Sequence, residues 1–176
     1  MLVLPPGILA LSGPRRDGLY HRPMNYELFM GEALAEARLA AERGEKPSAA
    51  VAVVNDAMVA RAHDRVRETN DPTAHAVVVA LREAARRLGT AQLGDVTVFA
   101  TQEPCAMCVG ALLVSDVTEL VYAVPNRVDG AAGSVLQLAQ HDALDRRLQV
   151  VSGIRRAEAE ELVNGAAALL PGPSRL

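Results

Sequence analysis

Only two cysteines occur in this 176-residue chain, Cys105 and Cys108, three positions apart and directly behind Pro104. The apolar run Val109 to Val114 follows, so the stretch reads as a helix whose first turn carries both thiols. Proline suits a first helical turn because it has no N–H to waste there and its φ is already helical. Residues i and i+3 share a helix face, which brings the two sulfurs to one point off the N-terminus. Unpaired N–H groups and the positive end of the helix dipole favour thiolate over thiol there. Two thiolates held this way are half of a tetrahedral zinc site. A redox pair, two small core residues, or half a site completed by another chain fit the same spacing.

The segment Asp71-Pro72-Thr73-Ala74-His75-Ala76 lies thirty residues upstream. A histidine opening a second helix supplies a third ligand and leaves the fourth position to water, the coordination of catalytic rather than structural zinc. A lone histidine on an amphipathic helix is otherwise a core or surface residue, and the pairing with Pro-Cys-x-x-Cys is what favours the metal.

His-x-Glu followed by Pro-Cys-x-x-Cys is the signature of the zinc-dependent cytidine deaminase superfamily, which this sequence resembles. Asp71 to Ala76, Glu103-Pro104-Cys105-Ala106-Met107-Cys108-Val109-Gly110-Ala111 and Asp129-Gly130-Ala131-Ala132-Gly133-Ser134 together look like its bacterial tRNA adenosine deaminase branch. The likeness runs from about residue 25 to 163, one whole domain. It implies zinc on His75, Cys105 and Cys108 with water as fourth ligand, substrate contacts at Ala76 and Pro104, and hydrolytic removal of an amino group from a base. A cytoplasmic homodimer is the form it implies.

One departure stands against these matches. Where the family has glutamate two residues after the histidine, this chain has Val77. That glutamate moves protons between the attacking water, a ring nitrogen and departing ammonia, none of which valine does. Zinc alone lowers the pKa of its water to about 7, while positioned acid–base catalysis adds about 10² to 10⁴-fold, roughly 3 to 5.5 kcal/mol. An apolar, β-branched side chain also dries the space beside the metal. Val77 reads as a point change, as the mark of a pseudoenzyme, or as a role passed to another carboxylate, for which Glu103 and Asp64 are the candidates. Misregistration is opposed by the continuous flanking match. Asp64 also falls where the family commonly has an asparagine that bonds the base, and a carboxylate there accepts only, favouring a base edge rich in donors. Pairing of Asp64 with Arg65 or Arg67 in an exposed loop is the competing reading.

Composition bears on the substrate. The chain is net −3 with a pI near 5.8 and 3% aromatic residues, whereas an RNA-binding surface wants a basic excess and stacking platforms. Its final stretch sets Arg155, Arg156 and Arg175 against Glu158, Glu160 and Glu161, three against three. A small-molecule base or nucleoside is therefore the first expectation, with the tRNA wobble adenosine second and a non-catalytic zinc protein or partner subunit third. No run reaches the roughly 18 apolar residues of a membrane helix. With both cysteines assigned to metal, none is left for a disulfide, which fits a reducing compartment.

Around these residues the pattern alternates. Asn25 caps a helix running to Gly44; Ala49 to Val54 and Ala57 to Ala62 form a hairpin about Asn55-Asp56. His63 to Pro72 reads as a polar loop, Ala74 to Leu88 as a helix closed by Gly89 with Val78, Leu81, Ala85 and Leu88 toward the core, and Val96 to Thr101 as the strand feeding the cysteine helix. A strand over Glu119 to Val124, a short helix over Ser134 to Gln140, a strand over Leu148 to Ser152 and a helix over Arg155 to Leu169 complete the chain. The expected fold is α/β, a three-layer α/β/α sandwich with a mixed central sheet (cytidine deaminase-like). Residues 1–23, with four prolines, read as a loosely ordered extension, 24–170 as the zinc-dependent deaminase domain, and 171–176 as a tail.

Overall fold

The computed structural model describes residues 24–167, so the proposed extension, the tail and the end of the last helix lie outside the described residues. Five strands form one mixed sheet in the order β2-β1-β3-β4-β5. They are β1 (Ala49–Val54), β2 (Ala57–His63), β3 (Thr97–Gln102), β4 (Glu119–Val124) and β5 (Gln149–Ser152). β1 runs antiparallel to β2 and β3, while β3, β4 and β5 are parallel. The β1–β2 turn places Asn55 and Asp56 at φ 49° and 59°, the paired positive φ of a tight hairpin turn, which these two residue types tolerate.

Alternation along the strands divides the core in two. Ala50, Ala52, Val98, Ala100, Leu120 and Tyr122 face one side, where they pack with α3 (Ala76–Leu88) and α4 (Ala106–Val114). Val51, Val53, Phe99, Val121 and Ala123 face the other, against α1 (Tyr26–Glu42) and α5 (Arg156–Ala167). The sheet is thus the middle layer of the expected sandwich. The α3 side is paved with alanine: Ala50, Ala52, Ala60, Ala62 and Ala100 are all buried. Small residues let a helix backbone approach a sheet closely, so α3 sits tight on the strands.

The helix boundaries have local causes. Asn25 accepts a hydrogen bond from the Leu28 N–H at 3.1 Å and caps α1. Gly89, at φ 70°, ends α3 in the left-handed conformation, its N–H donating to the Ala85 carbonyl. Glu158 of α5 pairs with Arg38 of α1 and with Arg155, tying the two helices on that face together.

Four expectations need correction. The polar stretch after β2 contains a turn of helix, α2 (Val66–Thr69), held where the Glu68 N–H donates to the buried carboxylate of Glu45 at 2.7 Å. Residues 134–140 are not helical: the Val135 and Leu136 N–H groups turn back to the Gly130 carbonyl, and those of Leu138 and Ala139 to Ala131. These acceptors, just upstream of the segment, take the N–H groups that a helix would need. Leu88, expected in the core, is 40% exposed at the end of α3. Pro104 lies outside α4, whose N-cap is Cys105.

Candidate metal centre

β3 runs into Gln102, Glu103 and Pro104 and then directly into α4, so the cysteines start at the C-terminal end of a central strand, where α/β sheets place their sites. Cys105 caps α4 with extended backbone at ψ 174°, and Cys108 follows one turn later, buried. His75 occupies the matching position on α3, its N-cap, also extended at ψ 148°. Two neighbouring helices on one face of the sheet thus present their N-termini to the same point.

The Nδ1 of His75 lies 3.6 Å from Cys105 Sγ and 3.7 Å from Cys108 Sγ, and the sulfurs are 3.8 Å apart. Zinc at about 2.3 Å from sulfur and 2.0 to 2.1 Å from nitrogen requires tetrahedral edges of about 3.6 Å for S···N and 3.8 Å for S···S. The three donors therefore already span one face of a zinc tetrahedron. They are the only such group of three among the described residues.

Charge at this point is strongly coupled. The Cys105 thiol is held down to about 3, first by its hydrogen bond with Cys108 and next, against burial, by His75. Cys108 is pushed far up by the same contact and by burial, because a second negative charge beside the first is opposed. The fields of Asp64 and Asp129 add to that push. His75 is raised, chiefly by its contact with Cys105. An electron-rich donor set with one sulfur unable to ionise alone fits a dication, since a coordinating thiol is deprotonated outright.

A cleft of about 370 Å³, part of it open to solvent, surrounds the triad. All eight residues singled out from sequence line it: the three donors, Asp64, Ala76, Val77, Glu103 and Pro104. Val77, 5% exposed in the first turn of α3, puts an apolar isopropyl group beside His75.

Two of these residues have tasks other than those expected. Glu103 is 2% exposed, and its carboxylate accepts three backbone N–H groups, from Asn126 at 3.0 Å, Ala132 at 2.9 Å and Ser134 at 3.0 Å. It anchors the loop after β4 and, so committed, is a poor proton carrier. Asp64 is not an exposed carboxylate paired with arginine: it is 5% exposed and its Oδ1 accepts the Ala76 N–H at 2.7 Å. It therefore caps α3, and the Ala76 N–H is taken within the protein. Burial pushes the Asp64 carboxyl above the ordinary aspartate range, against the lowering effect of that bond and of His75.

Sequence reasoning missed Lys46, Asn126 and Asp129, which also line the cleft. The glycine-rich loop beginning at Asp129 enters the reading of the sequence only through the family resemblance. Its anchor points are carbonyls and a carboxylate distant in sequence: the Ala131 N–H donates to the Pro104 carbonyl at 2.9 Å, and Gly130 pairs with Cys105.

Residues 23–124 match the cytidine and deoxycytidylate deaminase zinc-binding region, more than half of the 176-residue chain. The chain belongs to the cytidine deaminase-like superfamily. Within it, this deaminase-family chain falls in the tRNA adenosine deaminase branch. It is 40% identical over 133 residues to the tRNA-specific adenosine deaminase of Bacillus subtilis, covering 75% of this chain and 82% of that one. A solved structure from studies of A-to-I editing by tRNA:A34 deaminases at the wobble position superposes with a TM-score of 0.74 and 36% identity, over 77% of this chain and 98% of that one. The guanine deaminase of Nitrosomonas europaea superposes at 0.70 with 26% identity, over 83% and 86%.

Proposed function

We propose that this deaminase-family chain holds one zinc ion on His75, Cys105 and Cys108 and receives a purine bearing an amino group in the cleft beside it, with turnover held low by Val77. The observation that carries the reading is the trio of donor separations, 3.6, 3.7 and 3.8 Å. Zinc held there supplies a water acidic enough to ionise near neutral pH and a Lewis acid for the reacting centre.

The protein's own residues do the rest. Asp64 offers an acceptor while holding the first turn of α3. Ala76, Val77 and Pro104 give the cleft apolar walls that exclude water from the base. Val77 moves no proton, so transfer to the ring nitrogen and to leaving ammonia falls to solvent. The cost of losing such a group is about 10² to 10⁴-fold in rate.

The wobble adenosine of tRNA is the substrate supported by relatives at 33–40% identity. Composition favours a second reading, a free base or nucleoside, as the chain is net −3 with few aromatic residues. We rank the tRNA reading first, since whole-chain charge does not describe the surface around one cleft. A third, a zinc-holding subunit without turnover, follows from Val77 alone.

One experiment separates them. Zinc content and ammonia release are measured for the chain and for Val77→Glu, with an anticodon stem-loop RNA at two salt concentrations and with free adenine, guanine and their nucleosides. Zinc at about one per chain and a glutamate variant that gains rate on the RNA support the first reading; gain only on free purines selects the second. Absence of any gain leaves the third, and absence of zinc overturns all of them.

A further inference from the structure

The cleft carries three carboxylates, Asp64, Glu103 and Asp129; Glu103 is spent on backbone N–H groups, and Asp129 is the one the sequence did not single out. Asp64 ends the strand β2 region and Asp129 sits on the loop after β4; in the sheet order β2-β1-β3-β4 these strands lie on either side of β3, from which the cysteines follow. Asp64 and Asp129 thus reach the same cleft from the two flanks of the metal donors.

The side chain of Asp129 is aimed. Asn126, 6% exposed, accepts the Val128 N–H at 3.1 Å and the Asp129 N–H at 3.4 Å on its Oδ1. Its Nδ2 donates to Asp129 Oδ1. Asn126 is in turn held by Glu103 through its own N–H at 3.0 Å. At Gly130 an added Cβ would lie 2.4 Å from the Asn126 carbonyl and 2.6 Å from the Glu103 carboxylate, so the backbone next to Asp129 packs against these two residues with no room for a side chain. Asp129 itself is exposed, and its Oδ2 takes no hydrogen bond among the described residues. A carboxylate accepts and never donates when ionised, so a fixed, free oxygen at the mouth of a cleft selects a ligand that brings an N–H or O–H donor.

We propose that Asp129 is a specificity-determining residue of the cleft, accepting a hydrogen bond from an amino group of the bound purine, with Asn126 and Glu103 as the residues that position it. This rests on the base-binding reading above. With Asp64 it makes the cleft acceptor-rich, so purines with more exocyclic amines bind better than the unsubstituted ring.

The test compares 2,6-diaminopurine with unsubstituted purine, each as the free base and as the wobble nucleotide of an anticodon stem-loop. Binding to the zinc-loaded chain is followed by NMR, with Asp129→Ala, Asp129→Asn and, as a control for removing a distant negative charge, Asp142→Asn. The chain should prefer diaminopurine, and Asp129→Ala should weaken diaminopurine about ten- to a hundredfold, the range of a bond to a charged group. Affinity for purine and zinc content should stay unchanged, and Asp142→Asn should match the parent. A diaminopurine preference that survives both Asp129 substitutions overturns this role and leaves base binding intact. If neither ligand binds the chain in either form, the base-binding reading falls and this one with it.

Discussion

At the scale of single residues, the function proposed for this deaminase-family chain turns on position 77. Val77→Glu would place a carboxylate in the first turn of α3 next to His75, and the expected outcome is a rise in deamination of about 10² to 10⁴-fold. The rate of ammonia release on whichever substrate the chain accepts measures it, and equal rates would remove Val77 as the cause. Glu103→Gln separates anchoring from catalysis. An amide keeps one acceptor but sets an NH₂ against backbone N–H groups, so about 1 to 3 kcal/mol of stability should be lost as a lowered denaturation midpoint. If Glu103 were the proton carrier instead, activity would fall without that loss. The convergence of His75, Cys105 and Cys108 and the place of Val77 in the cleft were legible in the sequence because each belongs to a short motif. The commitment of Glu103 was not, since its partners are backbone groups 23 to 31 residues later with no side-chain pattern to mark them.

At the scale of elements, Asp64 joins the end of β2 to the start of α3 and so fixes where His75 begins its helix. Asp64→Ala removes the acceptor for the Ala76 N–H and should cost about 0.5 to 2 kcal/mol, as lost caps do. Asp64→Asn keeps an acceptor and removes a desolvated charge. With its folded pKa raised, Asp64 stabilises the fold below the ordinary aspartate value of 3.8, and that contribution is lost as pH rises through the folded value. The asparagine variant should therefore match or exceed the parent in thermal stability at neutral pH, and a lower midpoint would contradict this. The α1–α5 tie has the opposite sign. Glu158 is held below the ordinary glutamate value of 4.5, first by Arg38, so its contribution is present above 4.5 and lost as pH falls through the lowered value. The strands and long helices were readable from alternation and helical spacing. The turn of α2 and the unwinding of residues 134–140 were not, because Glu45 and the Gly130 and Ala131 carbonyls decide them from outside the segment.

At the scale of the whole molecule, the layer arrangement sets the three donors between α3 and α4, which meet on one face of the sheet and come from either side of β3 in the chain. An ion held by both helices cross-links them, and a ligand bound only by the folded state stabilises it by mass action. Chelation should lower the thermal midpoint of the chain, and His75→Ala should lower it equally without a further drop on chelation. In the middle of β1, Ala50 and Ala52 face α3 while Val51 and Val53 face the opposite layer, and that has a consequence for this ion that no ligand reveals. At Ala50 and Ala52 the floor beneath α3 is one methyl deep, so a bulkier side chain at Ala52, which is no part of the donor triad, should lift the helix and draw its imidazole away from the sulfurs. Affinity for the ion is thus written partly in the size of residues that never touch it.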